Sequence, residues 1–95
     1  MPSRSQQIEQ CLLRLAPKAD PRDLAAILDH ALHSKGLRKA APDKAAWLSL
    51  ESWLRHNASD YEDLLEQGYD MESARHFCRD QINAALDAWG CPKRL

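Results

Sequence analysis

No apolar run in this chain approaches the roughly 20 residues needed to cross a bilayer. The opening Met1-Pro2-Ser3-Arg4-Ser5-Gln6-Gln7 also lacks the apolar stretch of a secretory signal. Cysteine is scarce: Cys11, Cys78 and Cys91 form an odd set without CxxC spacing, which indicates neither a disulfide framework nor a zinc site. These absences lead us to expect a cytoplasmic protein with reduced thiols. There is no phosphate-binding loop, no His-Glu-x-x-His pattern, and no nucleophile–base pair or paired carboxylates that stand out. A non-enzyme without metal or cofactor is therefore expected. Neither charge is in excess, since 13 Lys and Arg stand against 14 Asp and Glu, so nothing pulls the whole chain toward nucleic acid or anionic lipid. No stretch alternates polar and apolar residues with period two, and no strand is predicted.

What remains is helical. The length of 95 residues suits one domain and is too short for two. Hydrophobic residues at 44% and charged residues at 28% are a globular balance, so a packed core is expected. Proline and glycine punctuate the chain. Gly36, Gly68 and Gly90 each follow a helical run and are expected to stop it in the left-handed conformation. Pro21 and Pro42 suit first helical positions, while Pro17 and Pro92 follow helices. Asp20 and Asp70 are expected caps, and Ser59-Asp60-Tyr61-Glu62 has the form of a capping box.

Helices are thus predicted near Ser5–Leu15, Pro21–Ser34, Pro42–Asn57, Asp60–Gln67 and Met71–Trp89. Each has a stripe of apolar residues at three- and four-residue steps. Ile8, Leu12 and Leu15 mark the first; Leu24, Ile27, Leu28, Ala31 and Leu32 the second. Ala46, Leu50, Trp53 and Leu54, with Trp47 at the margin, mark the third. Met71, Ala74, Cys78, Ile82, Ala85, Leu86 and Trp89 mark the last. The expected fold is all-α: one compact domain over residues 1–95, an orthogonal or irregular bundle of about five short helices. The first few residues and residues 91–95 are expected to be flexible.

Charge is segregated along the chain. Between residues 30 and 56, Lys35, Arg38, Lys39, Lys44 and Arg55 face only Asp43 and Glu51, and His30, His33 and His56 fall in the same segment. Between 57 and 72 stand Asp60, Glu62, Asp63, Glu66, Asp70 and Glu72 without one basic residue. Solvated helix faces and acids at helix starts account for such a pattern. So does an electrostatically two-faced surface that steers a partner or drives head-to-tail self-association.

Arg55-His56, the run Ser59-Asp60-Tyr61-Glu62-Asp63-Leu64-Leu65, Gly68 and Ala74-Arg75 follow one another in order. Upstream stand His30-Ala31 and the loop Ser34-Lys35-Gly36-Leu37-Arg38. This succession resembles a bacterial family catalogued as domain of unknown function 2293, over most of the chain after residue 20. The chain departs from that pattern where Leu37-Arg38-Lys39 replaces a more strictly Gly-Arg-rich stretch. The family has no assigned activity, so the resemblance implies a small helical domain and no reaction.

The candidate binding residues are Lys35, Arg38, Lys39, Arg55, His56, Tyr61 and Arg75. Arg55, His56 and Tyr61 straddle a helix junction, where they either form a polar pocket for an anion or serve as a helix end and a core ring. The loop cations Lys35, Arg38 and Lys39 either touch phosphates or merely solubilise the loop. Asp60 to Gln81 has the outline of a helix-turn-helix, but its first helix would bring acids to the phosphates, the wrong sign. Trp47, Trp53 and Trp89 are many for so small a core, and one is a candidate interface anchor. Cys78 reads as a core residue and Cys91 as exposed. The favoured function is a non-enzymatic protein-interaction module, with a protein partner or a second copy of itself. The alternative is nucleic-acid binding through the basic loop with Arg55 and Arg75. No membrane role is expected.

Overall fold

A computed structural model describes all residues, Met1 to Leu95. Five α-helices and no strand make up the chain: α1 (Arg4–Leu15), α2 (Pro21–His33), α3 (Pro42–Asn57), α4 (Tyr61–Glu66) and α5 (Met71–Ala88). A 3-10 turn, Lys35–Leu37, lies between α2 and α3. No helix is long and apolar enough to cross a membrane.

Helix α3 is the hub, because it packs on α1, α2, α4 and α5, while α2 and α5 share no extensive contact. Its fully buried Ala45, Ala46, Leu50 and Leu54 meet Ile8 and Leu12 of α1, Ile27 of α2 and Ile82 and Leu86 of α5 in one core. Alanine at two of these α3 positions lets neighbouring helices approach closely, and the leucines fill the space between. The result is a flattened body of 47 × 28 × 20 Å with α2 and α5 standing on either side of α3.

Caps follow local chemistry. The Asp20 carboxylate accepts from Arg22 N–H at 2.8 Å, and Pro21 takes the first position of α2. Asp70 accepts from Ser73 N–H at 2.7 Å. The capping box forms at Ser3 and Gln6 of α1 and not at Ser59. Ser59 Oγ instead donates to the Arg55 carbonyl at 2.6 Å, closing the end of α3, and Glu62 turns toward His56. Gly68 and Gly90 hold the expected left-handed backbone, at φ 101° and 74°, but Gly36 does not, because α2 ends through Ser34 into the 3-10 turn. Two guanidinium bonds from Arg4, to the carbonyls of Leu37 and Ala40 at 2.7 Å each, hold that turn against α1.

Three core assignments change. Met71 and Leu32 are exposed, since each stands at an element end with no helix over it. Cys91 is buried, because its N–H bonds back to the Leu86 carbonyl at 2.9 Å and folds the tail inward. Leu95 N–H continues that path to Asn83 Oδ1 at 2.8 Å.

Two consequences can be measured. The Ser49 hydroxyl is fully buried in α3 and has no hydrogen-bond partner. An unmatched buried hydroxyl costs about 1–3 kcal/mol, and alanine is also the better helix former. Ser49→Ala should therefore raise stability by about 1 kcal/mol, which is a gain of about 5 °C in Tm for a domain of this size. A thermal melt with no gain, or a loss, contradicts this. At Asp70, the bonds from the Ser73 backbone and side chain hold the carboxyl below its ordinary value. The folded pKa lies below the unfolded one, so the cap stabilises α5 above the ordinary aspartate range. That contribution is lost as pH falls through the folded value. A carbon-detected NMR titration should place the Asp70 midpoint below an unstructured aspartate, and Asp70→Asn should remove this acid limb.

Candidate functional site

Leu48, Glu51, Ser52 and Arg55 recur at helical spacing and form the outward face of α3. Because α2 and α5 flank that face, it becomes the floor of a valley. His30 and Ser34 from the end of α2, with Gly36 and Leu37 of the 3-10 turn, build one wall. Arg75 of α5 builds the other, and the open cleft between them holds about 320 Å³. Glu51 and Arg75 also line a broader depression of about 750 Å³ alongside α5. Met71, Glu72, His76, Arg79 and Leu95 complete that second part.

Arg55 is the least ordinary side chain here. It is only 14% exposed, and its sole ion-pair partner, Glu51, is 3.7 Å away, too far for a hydrogen bond. Its Nε is sequestered with no partner at all. The guanidinium is held in place by the buried Tyr61 ring, 5.3 Å from its centroid, in a cation–π contact. A partly desolvated guanidinium whose Nε has no partner is costly, and its terminal N–H groups, held only by the long contact to Glu51, remain to donate to an acceptor in the cleft. Arg75 and Arg79 are exposed and have no carboxylate within ion-pair distance, the chain's four pairs being His33–Asp29, Arg55–Glu51, His56–Glu62 and Arg94–Asp87.

The residues proposed from sequence separate into three groups. Arg55 and Arg75 meet in the cleft. Tyr61 is 3% exposed and lies beneath Arg55 as a support, outside the lining. His56 packs edge-on against the same ring at 5.3 Å but directs Nδ1 to Glu62 at 3.0 Å. The exposed Lys35, Arg38 and Lys39 lie along the turn and do not line the cleft. Sequence reasoning passed over Ser52, placed His30 and Ser34 only within the family resemblance, and left Arg79 out of the candidate set. The spacing of Ser52 to Leu48 and Arg55 was a usable signal, whereas His30 and Arg79 join the valley only through packing.

Two other surfaces stand apart from the valley. Leu12, Leu13, Pro17, Leu24 and Leu28 line an apolar groove of about 360 Å³ between α1 and α2. The exposed aromatic pair is Tyr69 with Phe77, 5.5 Å apart, and not a tryptophan. Trp53 and Trp89 stack on each other at 5.5 Å, and all three tryptophans pack against the core. No three His, Cys, Asp or Glu side chains gather closely enough to hold a metal ion together.

Neither a curated protein nor a solved structure gives a significant match to the chain. Residues 11–90 match the family model described as "Uncharacterized conserved protein (DUF2293)", a longer stretch than the motifs after residue 20 implied. The chain belongs to the DUF2293 family.

Proposed function

We propose that this protein is a non-enzymatic interaction module of the cytoplasm, which receives an acidic segment of a protein partner in the valley over α3. The observation that carries the reading is Arg55, a mostly buried guanidinium with only a long contact to Glu51, which lines the same cleft as the unpaired Arg75. A guanidinium fork matches a carboxylate with two parallel bonds, and such charge-assisted bonds are the strong ones. Arg79 extends the positive wall, while Leu37, Leu48 and Met71 offer apolar contact for a partner side chain. The net positive charge of the narrow part, Arg55 and Arg75 against Glu51, would also steer an acidic partner during encounter.

The chain's own run from Asp60 to Glu72 holds six acids and no base, so a second copy has suitable chemistry. Light scattering across a range of salt concentrations reads that outcome. The direct test is calorimetric titration of the full chain with a Glu-rich peptide carrying one or two leucines. Binding should weaken as salt rises and fall sharply in Arg75→Glu. Absence of binding at low salt overturns the reading. Nucleic-acid binding competes for the same arginines, but Glu51 lines the cleft with them and the loop cations lie outside it. Retardation of an oligonucleotide without peptide binding would transfer the function to that class.

A further inference from the structure

We infer that the narrow end of the valley is a subsite for a phosphate monoester, carried on a serine or threonine side chain of the acidic segment. The inference rests on the valley being the partner-binding surface, and adds which group is read there.

A planar carboxylate has two oxygens, and one guanidinium fork satisfies both. The narrow end provides more than that, and from three directions. Arg55 and the Ser52 hydroxyl rise from the floor, Arg75 comes from α5, and Ser34 and His30 come from the end of α2. Donor-bearing side chains from three elements in one cleft suit the three free oxygens of a tetrahedral phosphoryl group. Two guanidiniums against the single carboxylate of Glu51 leave net positive charge for an anion. Glu51, at 3.7 Å from Arg55, is close enough to hold the guanidinium toward the cleft and too far to saturate it. A bound phosphoryl group accepts from the terminal N–H groups of Arg55 and displaces that weak contact. No Phe, Tyr or Trp lines the cleft, so the lining favours a phosphoryl group on an aliphatic carrier over a nucleotide. The cleft, about 320 Å³, has room for a phosphoryl group and the first atoms of its carrier.

The experiment uses the whole chain labelled with ¹⁵N and two acidic peptides identical except for one position, phosphoserine in one and glutamate in the other. Inorganic phosphate and acetate serve as bare probes. The phosphoserine peptide should bind about tenfold tighter, the gain of one further charge-assisted contact. Inorganic phosphate should shift the Ser34 and Ser52 amides and the Arg55 Nε–H signal, while acetate should not. Arg75→Gln, at an exposed position that leaves the core untouched, should weaken both peptides but the phosphoserine peptide more, so that the preference is lost. Glu51→Gln should tighten phosphate binding several-fold by removing the competing charge. Equal affinity for both peptides overturns the subsite and leaves the interaction reading standing. Phosphate shifts spread over Lys35, Lys39 and Lys93 also overturn it. If neither peptide binds, both readings fall.

Discussion

Truncating Leu50 to alanine is expected to lower the unfolding free energy by about 2–5 kcal/mol. Leu50 is fully buried in the one helix that touches all the others. Its deletion therefore opens a void shared by several elements. Three alanines of the same core, Ala45, Ala46 and Ala31, have no side-chain freedom with which to fill it. A domain of this length has a total stability of about 5–10 kcal/mol, so the variant should lose a large share of it. Urea denaturation followed by circular dichroism would show the midpoint falling with the slope little changed. A loss below about 1 kcal/mol, as at a surface site, would mean that α3 is not the centre of packing.

Gly90→Val is the second large effect. Gly90 has φ of 74°, a region that costs an L-residue about 1–2 kcal/mol. A Cβ there would also stand 3.2 Å from Pro17 Cγ and 3.5 Å from two carbons of Lys18. Proline cannot move aside easily, and the Lys18 N–H is bonded to the Trp89 carbonyl at 3.0 Å, which fixes the corner of α1 and α2 against the end of α5. The valine should cost about 2–3 kcal/mol, combining strained backbone with overpacking. Gly68 is the internal control. It has φ of 101° but nothing within 4 Å of a built Cβ, so Gly68→Val should bear only the backbone cost. Equal losses at the two sites in parallel melts would refute the close approach at Pro17.

The element order was legible because proline, glycine and aspartate act through local chemistry. Asp20-Pro21 and Asp70 start helices in the structure as the sequence suggested, and Gly68 and Gly90 stop them. Gly36 misled, since a glycine after a helical run is also tolerated in a 3-10 turn with ordinary backbone. The Ser59 box misled for a similar reason: its hydroxyl had a better use on the Arg55 carbonyl at 2.6 Å. Apolar periodicity located the buried faces but could not say where a stripe outruns its neighbours, as at Met71 and Leu32.

The candidate site was half legible. Arg55 and Arg75 carried a signal, because the Arg-His at a helix end and the Ala-Arg at the start of the last helix were among the residues on which the family resemblance was read. Their meeting depends on the packing of α5 against α3, which sequence spacing does not encode. Arg4 shows the same limit from the other side. Its guanidinium holds Leu37 and Ala40 across more than thirty residues and so shapes the wall of the valley, though nothing in its neighbourhood marks it. The loop lysines drew attention for their charge alone, and charge on an exposed turn says little about where a ligand sits.

Everything functional here turns on Arg55 and Arg75 acting on one bound group. A double-mutant cycle measures that most directly, with Arg55→Gln and Arg75→Gln made singly and together and acidic-peptide affinity as the readout. Circular dichroism on each variant confirms that the helices persist. The predicted result is a coupling energy of at least about 0.5 kcal/mol between the two positions. Losses that add within about 0.3 kcal/mol, or a peptide indifferent to both substitutions, would contradict the account.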